Sequence, residues 1–435
     1  MSKIPPVKGT RDFYPEDMAV RNWIMDGWRN TSLRHGFLEY DGPIFEHLQL
    51  YTVKSGQEIV EQLFSLTDRG GRDLAIRPEI TPTLARMVNQ RINALARPIK
   101  WFSLPRLCRA ERPQKGRLRE FFQWNIDIIG EDSVLADAEC ICTAVDYLRS
   151  VGLTPNDVVV RYSSRALLRA LLLERLGFGA DELDALYALL DKRAKLPPDT
   201  FAALARDKIP DEPKRTRLLD TLRDVRNVGA DALDALDCLP AETLRQLRSH
   251  LQQFGVADYC CFDINIVRGL AYYTGVVFEI FDKTSPLRAL CGGGRYDNLL
   301  TVLGGPAVPA TGFGMGDVVL EILLREKNLL PVLAAALDYF VIDAASNIFD
   351  FGDPCVLSVV SRLRALGFSA AFSYKRQPLA KQLSQASAAG ARFAVLLGQE
   401  TRDRDQVTLK NLATGRQSAC DLPRFLADPR SACPA

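Results

Sequence analysis

The residues best suited to chemistry lie between positions 106 and 130, RLCRAERPQKGRLREFFQWNIDIIG. Arg106, Arg109, Arg112, Lys115, Arg117 and Arg119 put six cations into this short stretch. Planar guanidinium forks bind paired phosphate oxygens, so the chemistry suggested is recognition of a polyphosphate such as ATP. A bare charge run can equally be a solvated basic hairpin. Here, however, Glu111, Gln123 and Asp127 are interleaved where a solvated face has no need of them.

The elements that must position these groups read as strand, loop, strand. WFSLPRLC before Arg109 and the run from Phe121 to Ile129 are apolar, while Pro113, Lys115 and Gly116 supply turn chemistry. Arginines at the inner ends of two paired strands converge on one spot. Residues 63–88 predict a hairpin at Gly70-Gly71 and then offer Arg77-Pro78-Glu79-Ile80-Thr81 before a helix. Glu79 and Thr81, two apart on an extended segment, face one side and could grip a cationic amino group. Alternatively Glu79 is exposed, and one of Thr81 and Thr83 is expected to cap the helix. Residues 262–282 predict a strand through Phe262, Ile264 and Ile266, an interruption at Arg268-Gly269-Leu270, and a second strand from Val276 to Phe281. Arg268 is therefore either paired to a carboxylate or placed for a ligand. Gly292, Gly293 and Gly294 mark a flexible loop or a close approach of backbone to ligand, and no GK[ST] follows to make a P-loop.

The remaining chain frames these segments. An amphipathic helix beginning near Pro15 places Val20, Trp23, Ile24 and Trp28 on one face. Residues 131–164 read as a helix ending at Gly152 and a strand from Val158 to Tyr162. Residues 165–255 turn Leu- and Ala-rich and helical, an insertion or else a solenoid without visible period. From 331 to 425 strands and helices alternate as in a small α/β domain, ending in a hairpin at Thr414-Gly415. At 435 residues and a net charge of +2 the chain has room for two or three domains, and any RNA contact must come from local basic patches. Ten cysteines without a CxxC pair and three scattered histidines offer little to a zinc site or a histidine base. Core cysteines in a reducing cytoplasm are expected, with no signal peptide and no apolar run of the ~18 residues a membrane helix needs.

The run from Arg109 to Gln123, RxERPQKGRxREFxQ, resembles motif 2 of the class II aminoacyl-tRNA synthetases in its histidyl form. RGLxYYTGxxFE from Arg268 and GGGRYDNL around Tyr296 resemble the two histidine-specific motifs of that family, and the helix-strand-proline order before Pro43 resembles motif 1. The fold this implies is α+β: a class II antiparallel-sheet catalytic domain over 1–330 with a helical insertion at 165–255, an anticodon-binding-like α/β domain over 331–425, and a tail at 426–435. The function implied is ATP-dependent ligation of histidine to tRNA(His) through histidyl-adenylate, with Mg2+ accompanying ATP, by a cytoplasmic homodimer that has no membrane segment. By resemblance Arg109 and Arg268 are catalytic and hold the α-phosphate, Glu111 the adenine edge and Arg117 the γ-phosphate. Glu79, Thr81, Gln123, Asp127, Arg268, Tyr272, Tyr273 and Tyr296 hold histidine, and Arg112 and Gln114 approach the acceptor end. Lys375, Arg376, Lys381, Arg392 and Lys410 are candidates for RNA contact. The chain departs from the family at Ile80, usually Gly; at Ala271, often Asp; at Asp127, commonly Glu; and at Val319, where motif 3 has an arginine. The last departure leaves an alternative, a histidine-sensing paralogue such as an ATP phosphoribosyltransferase regulatory subunit.

Overall fold

Alternation in FFQWNIDII makes the central strand of the molecule. Phe122, Trp124, Ile126 and Ile128 are buried on one face, and Phe121, Gln123, Asn125 and Asp127 turn to the other, where they line two adjoining pockets. The computed structural model describes residues 4–52, 62–193, 196–226, 233–234, 236–266, 273–284, 289–331, 337–345 and 355–434. The chain forms two compact units, Met1–Leu330 and Pro331–Ala435.

In the first unit the strands are β1 (Leu38–Glu39), β2 (Phe45–His47), β3 (Phe64–Thr67), β4 (Asp73–Ile76), β5 (Ile99–Ser103), β6 (Arg106–Cys108), β7 (Glu120–Ile129), β8 (Val158–Ser164), β9 (Cys260–Phe262), β10 (Val276–Asp282), β11 (Cys291–Arg295) and β12 (Ala310–Gly316). A nine-stranded sheet runs β1-β5-β7-β12-β11-β10-β8-β9, with β6 hydrogen-bonded to β7. Its pairings are antiparallel except β1 with β5 and β8 with β9. The expected hairpin at Gly70-Gly71 is present as β3 and β4 of a small second sheet.

Helices α1 (Pro15–Arg34), α3 (Thr81–Arg91) and α4 (Val134–Ser150) stand where the sequence pattern places them, and α2 (Leu48–Thr52) is a short helix that the pattern does not show. Trp28 of α1 and Tyr147 of α4 are fully buried against Trp124, with ring centroids 6.2 and 5.5 Å away. The Trp124 indole N–H donates to Ser32 Oγ at 2.8 Å, which satisfies the one polar atom of the central ring in this aromatic layer. On the opposite face the chain enters α3 through Arg77, whose guanidinium is fixed by Asp41 Oδ1 at 2.6 Å, Gly42 O at 2.8 Å and Arg106 O at 3.1 Å. The cap expected from Thr81 or Thr83 is absent: Ile80 holds the N-cap position without a side-chain bond, and Thr81 is the first helical residue. Ile80 is fully buried in a core with Tyr40, Leu84, Val88, Tyr273 and Tyr296, so the aliphatic chain packs where a glycine would leave space.

The strand expected over Phe262, Ile264 and Ile266 stops at Phe262. Asp263 accepts the Asn265 amide at 3.0 Å and closes a turn, and Ile264 and Ile266 are buried from irregular backbone. The Leu- and Ala-rich region forms helices α5 (Arg165–Ala170), α6 (Leu183–Asp191), α7 (Pro198–Lys208), α8 (Glu212–Arg226) and α9 (Leu239–Gln253). Of these, α9 packs on α4 and α5, as part of the layer covering the sheet. Cys140, Cys142 and Cys291 are core residues as expected, but Cys261 is exposed and the other six are half-buried.

In the second unit β13 (Leu337–Asp343), β14 (Ala370–Phe372), β15 (Ala391–Leu397), β16 (Gln406–Asn411) and β17 (Gln417–Asp421) form a mixed sheet of order β14-β13-β15-β16-β17. Helices Val356–Ala365 and Leu379–Ala388 pack on it, and the terminal hairpin turns at Gly415 with φ +74°. Two short helices escape the sequence pattern, Gln399–Arg404 and Leu422–Ala427. Phe425 of the latter is fully buried against Tyr339, and the Tyr339 hydroxyl donates to Pro429 O at 3.0 Å, so residues beyond 425 belong to this core.

The first unit is tied together by a buried ion pair. Arg295, at the end of β11, donates to Asp137 of α4 at 3.0 and 2.7 Å and to the carbonyls of Glu131 and Ser133, while Thr311 of β12 donates to the other Asp137 oxygen at 2.8 Å. Replacing Asp137 by Ala strands a buried guanidinium, and such losses cost about 3–5 kcal/mol. Urea denaturation of Asp137→Ala should show destabilisation of that size, and a change below about 1 kcal/mol would refute the role assigned to the pair.

Candidate active site

The site is built on glycines. On β12, Gly312, Gly314 and Gly316 alternate with Thr311, Phe313 and Met315, so the strand buries an aromatic-sulfur face and leaves the other face bare. In register, Asp127 lies beside Gly312 and then Gly294, and Asn125 beside Gly314 and then Gly292. A Cβ at 312 would stand 2.5 Å from Asp127 Oδ1, and one at 314 would stand 2.7 Å from the Gln123 amide carbon. The polar side chains of β7 therefore lie across neighbouring strands on a floor that only glycine provides. The glycine run is a strand rather than a flexible loop.

Two adjoining pockets open on this floor. The smaller, of about 550 Å³, is lined by Glu79, Thr81, Arg109, Gln123, Asn125, Asp127, Tyr273 and Tyr296 with glycine backbone. At its inner end the Tyr296 hydroxyl donates to Asp127 Oδ1. Burial pushes the Asp127 carboxyl up to about 7, and the Tyr296 bond opposes that rise. The larger, an open cleft of about 740 Å³, runs from Arg109 and Gln123 past Phe121, Glu111 and Arg117 to Gly116, Val318 and Val319. Arg109 borders both pockets; its Nε donates to Pro78 O at 3.0 Å and its guanidinium lies 5.2 Å over Phe121.

The loop between β6 and β7 closes by backbone bonds from Arg109 to Arg119 at 2.8 Å and between Gln114 and Arg117 at 3.0 and 2.9 Å, with Gly116 at φ +77°. Residues near the N-terminus fasten it. Arg119 N donates to Gly9 O, and Arg11 reaches Asp317 at 2.5 Å, which also accepts the Phe122 amide at 3.0 Å. Within the cleft Glu111 and Arg117 form an ion pair with each other. Arg112 and Gln114 are exposed near the loop tip. Val319 is 6% exposed and packs towards Gly116 at the far end of the cleft. Among the described residues Arg109 and Arg117 are the cations that line the cleft, and nothing basic stands at 319.

The structure thus brings together Glu79, Thr81, Arg109, Glu111, Arg117, Gln123, Asp127, Tyr273 and Tyr296. Arg268 and Tyr272 lie outside the described residues. Lys375, Arg376, Lys381 and Arg392 are exposed and Lys410 half-buried in the second unit. Sequence reasoning missed Asn125 and Phe121, although the period of two through Gln123 and Asp127 puts both on the ligand face. It also missed Arg11, whose partner is 306 residues away. Among the described residues no cluster of three or more His, Cys, Asp or Glu could hold a metal, and no helix is long and apolar enough to cross a membrane.

Comparison with known proteins agrees with this architecture. The family described as histidyl-tRNA synthetase matches residues 9–317, and that described as anticodon binding domain matches residues 346–427. A histidine-tRNA ligase of Opitutus terrae is 41% identical over 434 residues, covering 98% of this chain and 97% of that one. A chloroplastic/mitochondrial histidine-tRNA ligase of Arabidopsis thaliana is 38% identical over 422 residues, covering 95% of this chain and 84% of that one. The crystal structure of histidyl-tRNA synthetase from Nostoc superposes with a TM-score of 0.79 at 21% identity, covering 99% of this chain and 100% of the other, a likeness of fold. With both pockets built from the residues that carry the sequence motifs, and with relatives matched over nearly their full length, the chain belongs to the histidyl-tRNA synthetase family.

Proposed function

We propose that this chain is a histidine-tRNA ligase in which the smaller pocket holds histidine and the cleft holds ATP. The observation that carries the reading is the shared wall: Arg109 and Gln123 border both pockets, which is where a carboxylate and an α-phosphate must meet. Glu79 and Thr81 face the α-amino group, Asp127 and Tyr296 the imidazole, with Gln123 and Tyr273 on the sides. The histidine carboxylate oxygen attacks the α-phosphorus, the bond to the bridging oxygen breaks, and pyrophosphate leaves. Arg109, joined by Arg268, stabilises the charge that grows on the phosphate oxygens, so catalysis is positioning and electrostatics without a covalent enzyme intermediate. A ribose hydroxyl at the 3′ end of tRNA(His) then attacks the histidyl carbonyl and AMP leaves.

Glu111 and Arg117 hold each other in the cleft and exchange that contact for the adenine edge and the γ-phosphate when ATP enters. Mg2+ arrives as part of the nucleotide substrate, as the counter-charge of its phosphates. Exposed Arg112 and Gln114 meet the acceptor end. Residues 1–330 form the catalytic domain with 165–255 as its insertion, residues from 331 form the anticodon-binding domain, and the assembly is a cytoplasmic homodimer. The ligase reading is preferred to a histidine sensor because the family matches reach both units.

Two measurements check this reading. Purified protein should esterify labelled histidine to a tRNA(His) transcript and leave other tRNAs uncharged; failure to charge any tRNA with ATP and Mg2+ present refutes it. Gly312→Ala drives a methyl group against Asp127 and the Ile126 carbonyl. It should raise KM for histidine at least about tenfold, and an unchanged KM would show that Asp127 does not touch the substrate.

A further inference from the structure

Beside the smaller pocket the sheet carries buried oxygens that have no hydrogen-bond partner among the described residues. Leu38 of β1 lies beside Trp101 of β5, Trp101 beside Asp127, and Ser103 beside Asn125. Tyr40, just past β1, continues this register: its amide donates to Phe102 O at 2.9 Å and its ring lies 5.7 Å from that of Trp101. Tyr40, Ser103 and Asp127 therefore share the ligand face of the sheet. Tyr40 is 8% exposed, Ser103 1% and Asp127 3%. Among the described residues the Tyr40 hydroxyl, Ser103 Oγ and Asp127 Oδ2 have no hydrogen-bond partner.

Buried polar atoms that lack a partner in the protein are commonly met by an ordered water. Tyr40 packs in the same buried cluster as Tyr273 and Tyr296, the latter bonded to Asp127, and neither the Tyr40 hydroxyl nor Asp127 Oδ2 has a partner of its own among the described residues. We propose that Tyr40 is a positioning residue of the histidine pocket, holding the Asp127 carboxylate through one bridging water. Tyr40 donates to that water, and the water donates to Asp127 Oδ2. Tyr296 donates to Oδ1 from the other side. Fixed at both oxygens, the carboxylate keeps its remaining lone pairs for an imidazole N–H, and a side chain as short as aspartate is held at the right depth. This inference rests on the assignment of the smaller pocket to histidine.

The arrangement has a pH signature. Groups facing Asp127 are Tyr296 at the end of β11, Tyr40 after β1, Cys140 of α4, and Glu79, Arg109 and Tyr273 around the pocket. A donor to the carboxylate favours its charged form, so removing the Tyr40 hydroxyl raises the Asp127 pKa further. The substrate's own imidazole titrates identically with any variant, so a difference between enzymes reports the site.

Tyr40→Phe keeps the ring and its packing and deletes the oxygen. In histidine-dependent pyrophosphate exchange it should raise KM for histidine about fivefold, leave KM for ATP within about twofold, and move the acid limb of kcat/KM for histidine to higher pH. An unchanged KM and acid limb overturn the proposal. So does an equal rise of both KM values with a lowered melting temperature, which marks a packing role only. Calorimetric titration of histidine into both proteins separates the outcomes. If wild-type protein binds histidine and Tyr40→Phe binds it equally well, the Tyr40 assignment falls; if wild-type protein binds none, the assignment of the pocket falls with it.

Discussion

A side chain can lie flat across a neighbouring strand only where that neighbour carries no Cβ. This constraint shapes the catalytic unit. Gln123, Asn125 and Asp127 project from β7 onto Gly312 and Gly314, and behind these stand Gly292 and Gly294 on β11. Glycine weakens a strand by entropy and by lost packing. The opposite face offsets that loss with Trp124, Phe313, Phe278, Trp28 and Tyr147 in edge and stacked contacts, and the Arg295–Asp137 pair fixes the strand ends to α4. Floor and foundation are two faces of the same strands, so a substitution on either is felt at the site.

Charge is distributed unevenly along the two pockets. The smaller pocket places carboxylates, Glu79 and Asp127, where a cationic amino group and an imidazole N–H would be received. The larger cleft opens with Arg109 and then offers Arg117, paired to Glu111. At its far end Val319 is an apolar wall against the loop at Gly116. A cation at that point would gain about 1.5–3 kcal/mol from a charge-assisted bond to a phosphate. The cleft's cations instead stand at Arg109 and Arg117, and Arg11 and Asp317 brace the strand and loop from beneath.

Much of this was legible in the residues because the signals are local. The β6–β7 hairpin, α1, α4, the Gly70-Gly71 turn and the alternation of the second unit all rest on spacing within one element. What escaped depends on contacts distant in sequence. Whether Thr81 capped α3 was decided by the burial of Ile80 among Tyr40, Tyr273 and Tyr296, which no window around 81 contains. Ile264 and Ile266 alternate as a strand does, yet Asp263 folds them into a turn. Leu422–Ala427 is too short for periodicity and is held by Tyr339. Asn125 was within reach, since it shares a face with Gln123 and Asp127.

We propose that this site forms histidyl-adenylate with valine at 319, and the deciding experiment is histidine-dependent exchange of labelled pyrophosphate into ATP, with Mg2+ and without tRNA. Exchange well above a blank lacking histidine is the expected result. No exchange from protein that binds histidine in calorimetry would contradict the account and leave a histidine sensor in its place.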